Sequence, residues 1–234
     1  MSAGPPVAQV PAVSVAAAIA RMESIEAAVR PGDGLGYFNR MYLEVTRDVQ
    51  SRLGAAFFAD PAFMTQLDVT FANLYFDAVD AADDLSAVPL AWRPLFEQRT
   101  RPGIEPIQFA LAGMNAHINH DLPLALVSTC SALATAPTAG AHQADYQKVD
   151  RLLDAAEQSV RQSLESAAAR DVDRHLEAVC NLVASWSINS ARDLAWNNGL
   201  LLWEVRGDPV ARALLCDNLA MTTAAASRLL LIAV

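Results

Sequence analysis

The chain has 234 residues, a length suited to one packed domain. Its 26 acidic residues outweigh 17 basic ones for a net charge of −9, which argues against a phosphate-binding surface and a nucleic-acid partner. Hydrophobic residues at 53% and charged residues at 18% exclude extensive disorder, and 45 alanines and 28 leucines against 10 glycines form a helix-favouring composition.

Residues 1–13 are small and proline-rich and are expected to be disordered, leaving 14–234 as a single all-α domain. A first helix is expected from Val15 to Val29, broken by the turn Pro31-Gly32-Asp33-Gly34-Leu35-Gly36. The glycine spacing of that turn fits neither a P-loop nor a dinucleotide fingerprint. A second helix runs from about Tyr37 to Leu53. Asp60 then caps a third with Pro61 in its first turn, carrying Phe63, Leu67, Phe71, Leu74 and Ala78 on one stripe.

A short helix from Ala91 to Arg99 fits between prolines. Pro106 opens another that should kink or end before Pro123, with a continuation from Leu124 to Leu133 and a small-residue loop from Thr135 to Gln143. A charged amphipathic helix follows from Asp145 to Arg170, then a long helix or broken pair from Val172 to Arg206. Gly207-Asp208-Pro209 stops it, and a last helix runs from Val210 with the apolar tail 229–234 as a buried face. No alternating strand pattern is present, so the expected architecture is a bundle of seven to nine helices.

No run is long enough to span a membrane, and the N-terminal apolar stretch lacks a basic start and contains Pro5, Pro6 and Pro11. Cys130, Cys180 and Cys216 form no CxxC pair, which excludes a thiolate zinc site and suits reduced thiols in the cytoplasm. Of 16 Phe, Tyr and Trp residues, 12 precede residue 110, so the N-terminal half holds the bulky side chains that could form a pocket.

The segment Asn115-Ala-His117-Ile-Asn119-His120-Asp121-Leu-Pro123 concentrates polar groups inside an apolar stretch. On a helix His117, His120 and Asp121 share one side, and Asn115 and Asn119 pair on an adjoining one. Buried polar groups require partners, and a divalent ion (zinc, magnesium or iron) would satisfy imidazole and carboxylate together. The alternative is a polar core whose members satisfy one another around the proline.

Asn73, Asp77, Asp80 and Asp84 share a second helical face, where like charges call for a cation or for solvent; Asp77, deepest in the aromatic helix, is the expected fourth ligand. A third seam follows the core stripe Val172, Leu176, Val179, Val183 and Trp186. It turns polar at Ser190, Asp193, Asn197 and Glu204, with Asn189, Arg192 and Trp196 beside it, and either enters a cavity or leaves the protein body. Isolated His142 and His175 read as surface residues.

The stretches Gly36–Thr46, Phe71–Asp77 and above all Pro106–Pro123 (PIQFALAGMNAHINHDLP) resemble an uncharacterised actinobacterial family of unknown function. The resemblance covers most of the chain from about residue 32 and carries over no catalytic residue.

The residues support three functions. One is a metal-dependent helical enzyme, hydrolytic or proton-transferring, with His117, His120, Asp121 and Asp77 around the ion and Arg192 assisting. Its small, largely apolar substrate would meet Asn73, Asn115, Asn119, Asn189, Asp193 and Trp196. The second is a cyclase similar to class I terpene synthases, with Asp77–Asp84 as its acidic motif. The third is a non-enzymatic protein that binds a small ligand.

Overall fold

The structure, a computed structural model, describes residues 10–153 and 187–233. Its helices in chain order are α1 (Val15–Ala28), α2 (Gly34–Leu53), α3 (Pro61–Asp80), α4 (Arg93–Gln98) and α5 (Pro106–Ala116). A π-helical turn (His117–Asp121) leads into α6 (Leu122–Ala132), followed by α7 (His142–Lys148), α8 (Ile188–Glu204) and α9 (Pro209–Leu230). No strand occurs among the described residues, and the all-α class is as expected.

Local chemistry sets the ends of these helices. Ser14, Asp33, Asp60, Ser187 and Asp208 each cap a helix by accepting a backbone N–H, and Pro61 and Pro209 follow two of them in the first turn. Helix α2 starts at Gly34 rather than Tyr37, because the Asp33 carboxylate takes the Leu35 N–H at 3.0 Å and starts the helix inside the glycine turn. The other carboxylate oxygen pairs with Arg99 at 2.6 Å.

The continuous rod of α5, the π-turn and α6 lies at the centre. Residues 107–118 are all buried, as expected for a helix apolar on every side. Helices α2 and α9 pack on α5, while α3 and α8 pack on α6. Gly113 permits a close approach of α2 to α5, since a Cβ there would overlap the Phe38 ring. The C-terminus is tied to the rod by Gln108, whose Nε2 donates to the carbonyls of Leu230 and Ile232 at 2.7 and 2.8 Å. Of the apolar tail, Leu230 and Leu231 are buried but Leu229 and Ile232 are exposed.

Three expectations are corrected. The helix, expected to kink or end before Pro123, does not end there. Its register widens by one residue, with the Leu122 N–H bonded to the His117 carbonyl, five residues back, and α6 continues through Pro123. Pro123 has no N–H to give and its ring would crowd the carbonyl four residues back, so a wider preceding turn accommodates it. Ala12, expected in a disordered leader, is buried, and both its N–H and its carbonyl bond to the Asn73 amide. His142 is not a surface residue. It stacks on Phe63 at 3.9 Å, with Nδ1 on the Ala136 carbonyl and Nε2 on Asp60.

The charged helix beyond residue 153, the stripe Val172–Trp186, His175 and Cys180 lie outside the described residues.

Candidate functional site

His117 and Asp121 stand at the two ends of the π-helical turn, four residues apart on one side of the helix. His117 Nδ1 lies 2.9 Å from Asp121 Oδ2, and His120 Nδ1 lies 2.7 Å from Oδ1. Trp92, fully buried just before α4, donates its indole N–H to Oδ2 at 2.8 Å. Asp121 is therefore held on both oxygens by three donors. Burial alone would raise its pKa, but the bonds from His117 and His120 outweigh that and hold the carboxyl below its ordinary range.

An ionised carboxylate only accepts, so Nδ1 of His117 carries the hydrogen and Nε2 keeps its lone pair. Burial pushes the His117 pKa down, with the Asp121 bond opposing it, so the ring is neutral at pH 7. Nε2 is buried and has no hydrogen-bond partner. Phe71 covers one ring face at 3.4 Å between centroids, and Tyr42 meets the ring edge-on at 4.5 Å.

His117 lines a cavity of about 80 Å³ whose wall is mostly apolar, including Phe38, Met64, Phe71, Met114 and Ile118. That is several times the roughly 10–15 Å³ needed by one water. Two further residues that line the same cavity, Tyr42 and Asp68, each carry a buried polar atom without a hydrogen-bond partner: the Tyr42 hydroxyl and Asp68 Oδ2. Burial raises the Asp68 carboxyl to about 7. Burial, and next the Asp68 charge, raise the Tyr42 phenol well above its usual range.

Neither Tyr42 nor Asp68 is among the residues that sequence reasoning selected. A signal was present: Met64, Asp68, Phe71 and Tyr75 follow the helical period, which puts an acid on an apolar stripe. Phe38, Tyr42, Val45 and Val49 form the facing stripe on α2.

Of the expected site residues, His117 and Arg192 reach the cavity. Arg192 is committed elsewhere, with Nε on Asp150 at 2.6 Å, a second nitrogen on the Tyr146 carbonyl at 2.7 Å and its guanidinium over the Tyr146 ring. Asp77 is exposed and makes no hydrogen bond to either histidine. Among the described residues no three His, Cys, Asp or Glu side chains gather to hold an ion. Of the four residues expected around one metal, His117 and His120 both direct Nδ1 at Asp121, and Asp77 lies exposed on α3.

Asp80 is bound by both oxygens to Arg21 of α1, and Asp84 by Ser86. Asn73 pins Ala12. Asn115 donates to the Thr223 carbonyl and Ser227 and accepts from Asn119, joining the rod to α9. Ser190, Asp193, Asn197 and Glu204 are exposed, so that seam leaves the protein body. Asn189 is half-buried. Trp196 is buried against Tyr146, and its indole nitrogen has no hydrogen-bond partner.

Residues 15–233 match the model of a family described as a family of unknown function, DUF5995, and the chain belongs to it. No curated protein and no solved structure matches the chain. None of the described helices is long and apolar enough to cross a membrane.

Proposed function

We propose that this protein binds a small, largely apolar molecule in the central cavity and moves a proton on it, with His117 Nε2 as the base. The supporting observation is the pairing of opposite environments on one ring that lines the cavity: Nδ1 fixed by Asp121, Nε2 buried and unpartnered. A proton taken by Nε2 creates an imidazolium 2.9 Å from the Asp121 carboxylate, where low polarity strengthens their attraction. Trp92 and His120 keep that carboxylate from turning away, and Phe71 and Tyr42 fix the ring plane. The ring thus has the buried carboxylate support that a neutral imidazole base needs.

Nitroethane is a small carbon acid suited to a test. Its Cα hydrogens are followed by NMR as they exchange in D₂O. The protein should accelerate exchange well above buffer, and His117→Gln should return it to background while the fold, read by circular dichroism, persists. Equal rates for the two proteins would leave a binding protein without chemistry, the third function considered from sequence.

A further inference from the structure

The cavity presents an unusual set of polar atoms. Asp68 Oδ2, His117 Nε2 and the Tyr42 phenolic oxygen are buried atoms of three residues that line it, and none has a hydrogen-bond partner. His117 and Tyr42 are 2% and 7% exposed, and the cavity they line has room for a small ligand. With Asp68 ionised, as above pH 7, the three offer acceptors only, apart from the Tyr42 hydroxyl hydrogen. An unpartnered polar atom in such a place costs about 1–3 kcal/mol, and a carboxylate more. The one cation on the cavity wall among the described residues, Arg192, is bound to Asp150 and Tyr146.

A ligand complementary to this set carries several N–H donors, a positive charge and an apolar body. We infer that the cavity binds an organic ammonium ion, a small aliphatic amine whose charged nitrogen meets Asp68 and donates to His117 Nε2 and Tyr42. Phe38, Tyr42 and Phe71 line the same wall, and aromatic rings attract a cation as well as an alkyl chain. The net charge of −9 raises the local concentration of cations and opposes anionic ligands. Burial, the cause of the raised Asp68 pKa, is what a bound ammonium would offset, and binding should return that carboxyl to the ionised form. The inference rests on the reading of His117 as a proton acceptor and adds the class of molecule that meets it.

Calorimetric titration with n-butylammonium chloride, n-butanol and sodium butyrate tests this on the intact chain. These probes have similar size and differ in charge and donors. Butylammonium should bind at least tenfold tighter than butanol at pH 8, and butyrate should not bind. Asp68→Asn should weaken butylammonium at least tenfold and leave butanol within about twofold. Asp77→Asn, which makes the same charge change on the surface, should alter neither.

Equal affinity for amine and alcohol, absence of amine binding, or an unchanged amine affinity in Asp68→Asn would overturn the assignment. Acceleration of nitroethane exchange without any preference for butylammonium would remove the amine assignment alone. Amine binding without exchange would remove the proton-transfer reading alone.

Discussion

Phe71 lies flat on His117, with ring centroids 3.4 Å apart and planes within 6°. The stack seals one face of the imidazole. An aromatic face also favours the protonated ring over the neutral one. Phe71→Leu should therefore lower the His117 pKa further. It should also destabilise the fold by about 1–3 kcal/mol, from lost stacking and a partly filled void. NMR titration of the His117 ring protons and urea unfolding read the two effects separately. An unchanged titration would show that the stack only fills space.

Trp92→Phe keeps most of the packing and deletes the N–H given to Asp121 Oδ2. Loss of one buried bond to a charged acceptor should cost about 1.5–3 kcal/mol. The Asp121 carboxyl should move up towards its ordinary range. Nitroethane exchange should slow, with the acid limb of its pH profile shifting upward. A loss of stability with an unaltered profile would make Trp92 a packing residue only.

The pH dependence of Asp68→Asn follows from a folded pKa near 7 against an ordinary 3.8. Well below pH 3.8 both states are protonated and the ionisation penalty vanishes. As pH rises towards 7 the unfolded chain loses its proton while the folded one resists, so the wild type loses stability, fully so above pH 7. The variant lacks this penalty. Its stability relative to wild type should be greater at pH 8 than at pH 4 by roughly 2–4 kcal/mol, read by urea unfolding at both values. A difference independent of pH would mean that Asp68 is solvated in the folded state.

Pro123→Ala restores an N–H and removes the ring that crowds the carbonyl four residues back. The π-turn should relax towards regular α-helix, rotating His117 relative to Asp121. Exchange should fall several-fold while stability changes by less than about 1.5 kcal/mol, because the proline's lost conformational advantage and the regained hydrogen bond oppose each other. Retained exchange with an intact fold would show that the proline is not needed to hold the dyad.

Gly113→Ala tests how closely α2 must approach the rod. A Cβ there overlaps the Phe38 ring, so the helices must separate. Stability should fall by about 1–3 kcal/mol despite alanine's better helix propensity, and the cavity wall next to His117 should shift. A more stable variant, read by thermal unfolding, would mean that the helices part without loss.

The all-α class, the capped starts at Ser14, Asp60 and Asp208 and the density of polar groups between Asn115 and Asp121 were written in local sequence, because capping, proline placement and helical periodicity act within a few residues. His117 and Asp121 were legible as partners for the same reason, being four apart on one chain segment. Their surroundings were decided elsewhere.

Trp92 and Tyr42 reach the dyad from segments distant in sequence, and Asp68 joins His117 at the cavity only once α2 and α3 have closed around the rod. Asp77 and Asp68 are both acids on α3, nine positions apart. Helical phase and the neighbours that cover each face, rather than residue type, send one to solvent and the other to the interior. Spacing along one helix gives the angle between two side chains. Which side of the helix meets the core depends on every other helix, and that depends on the packing of the whole domain.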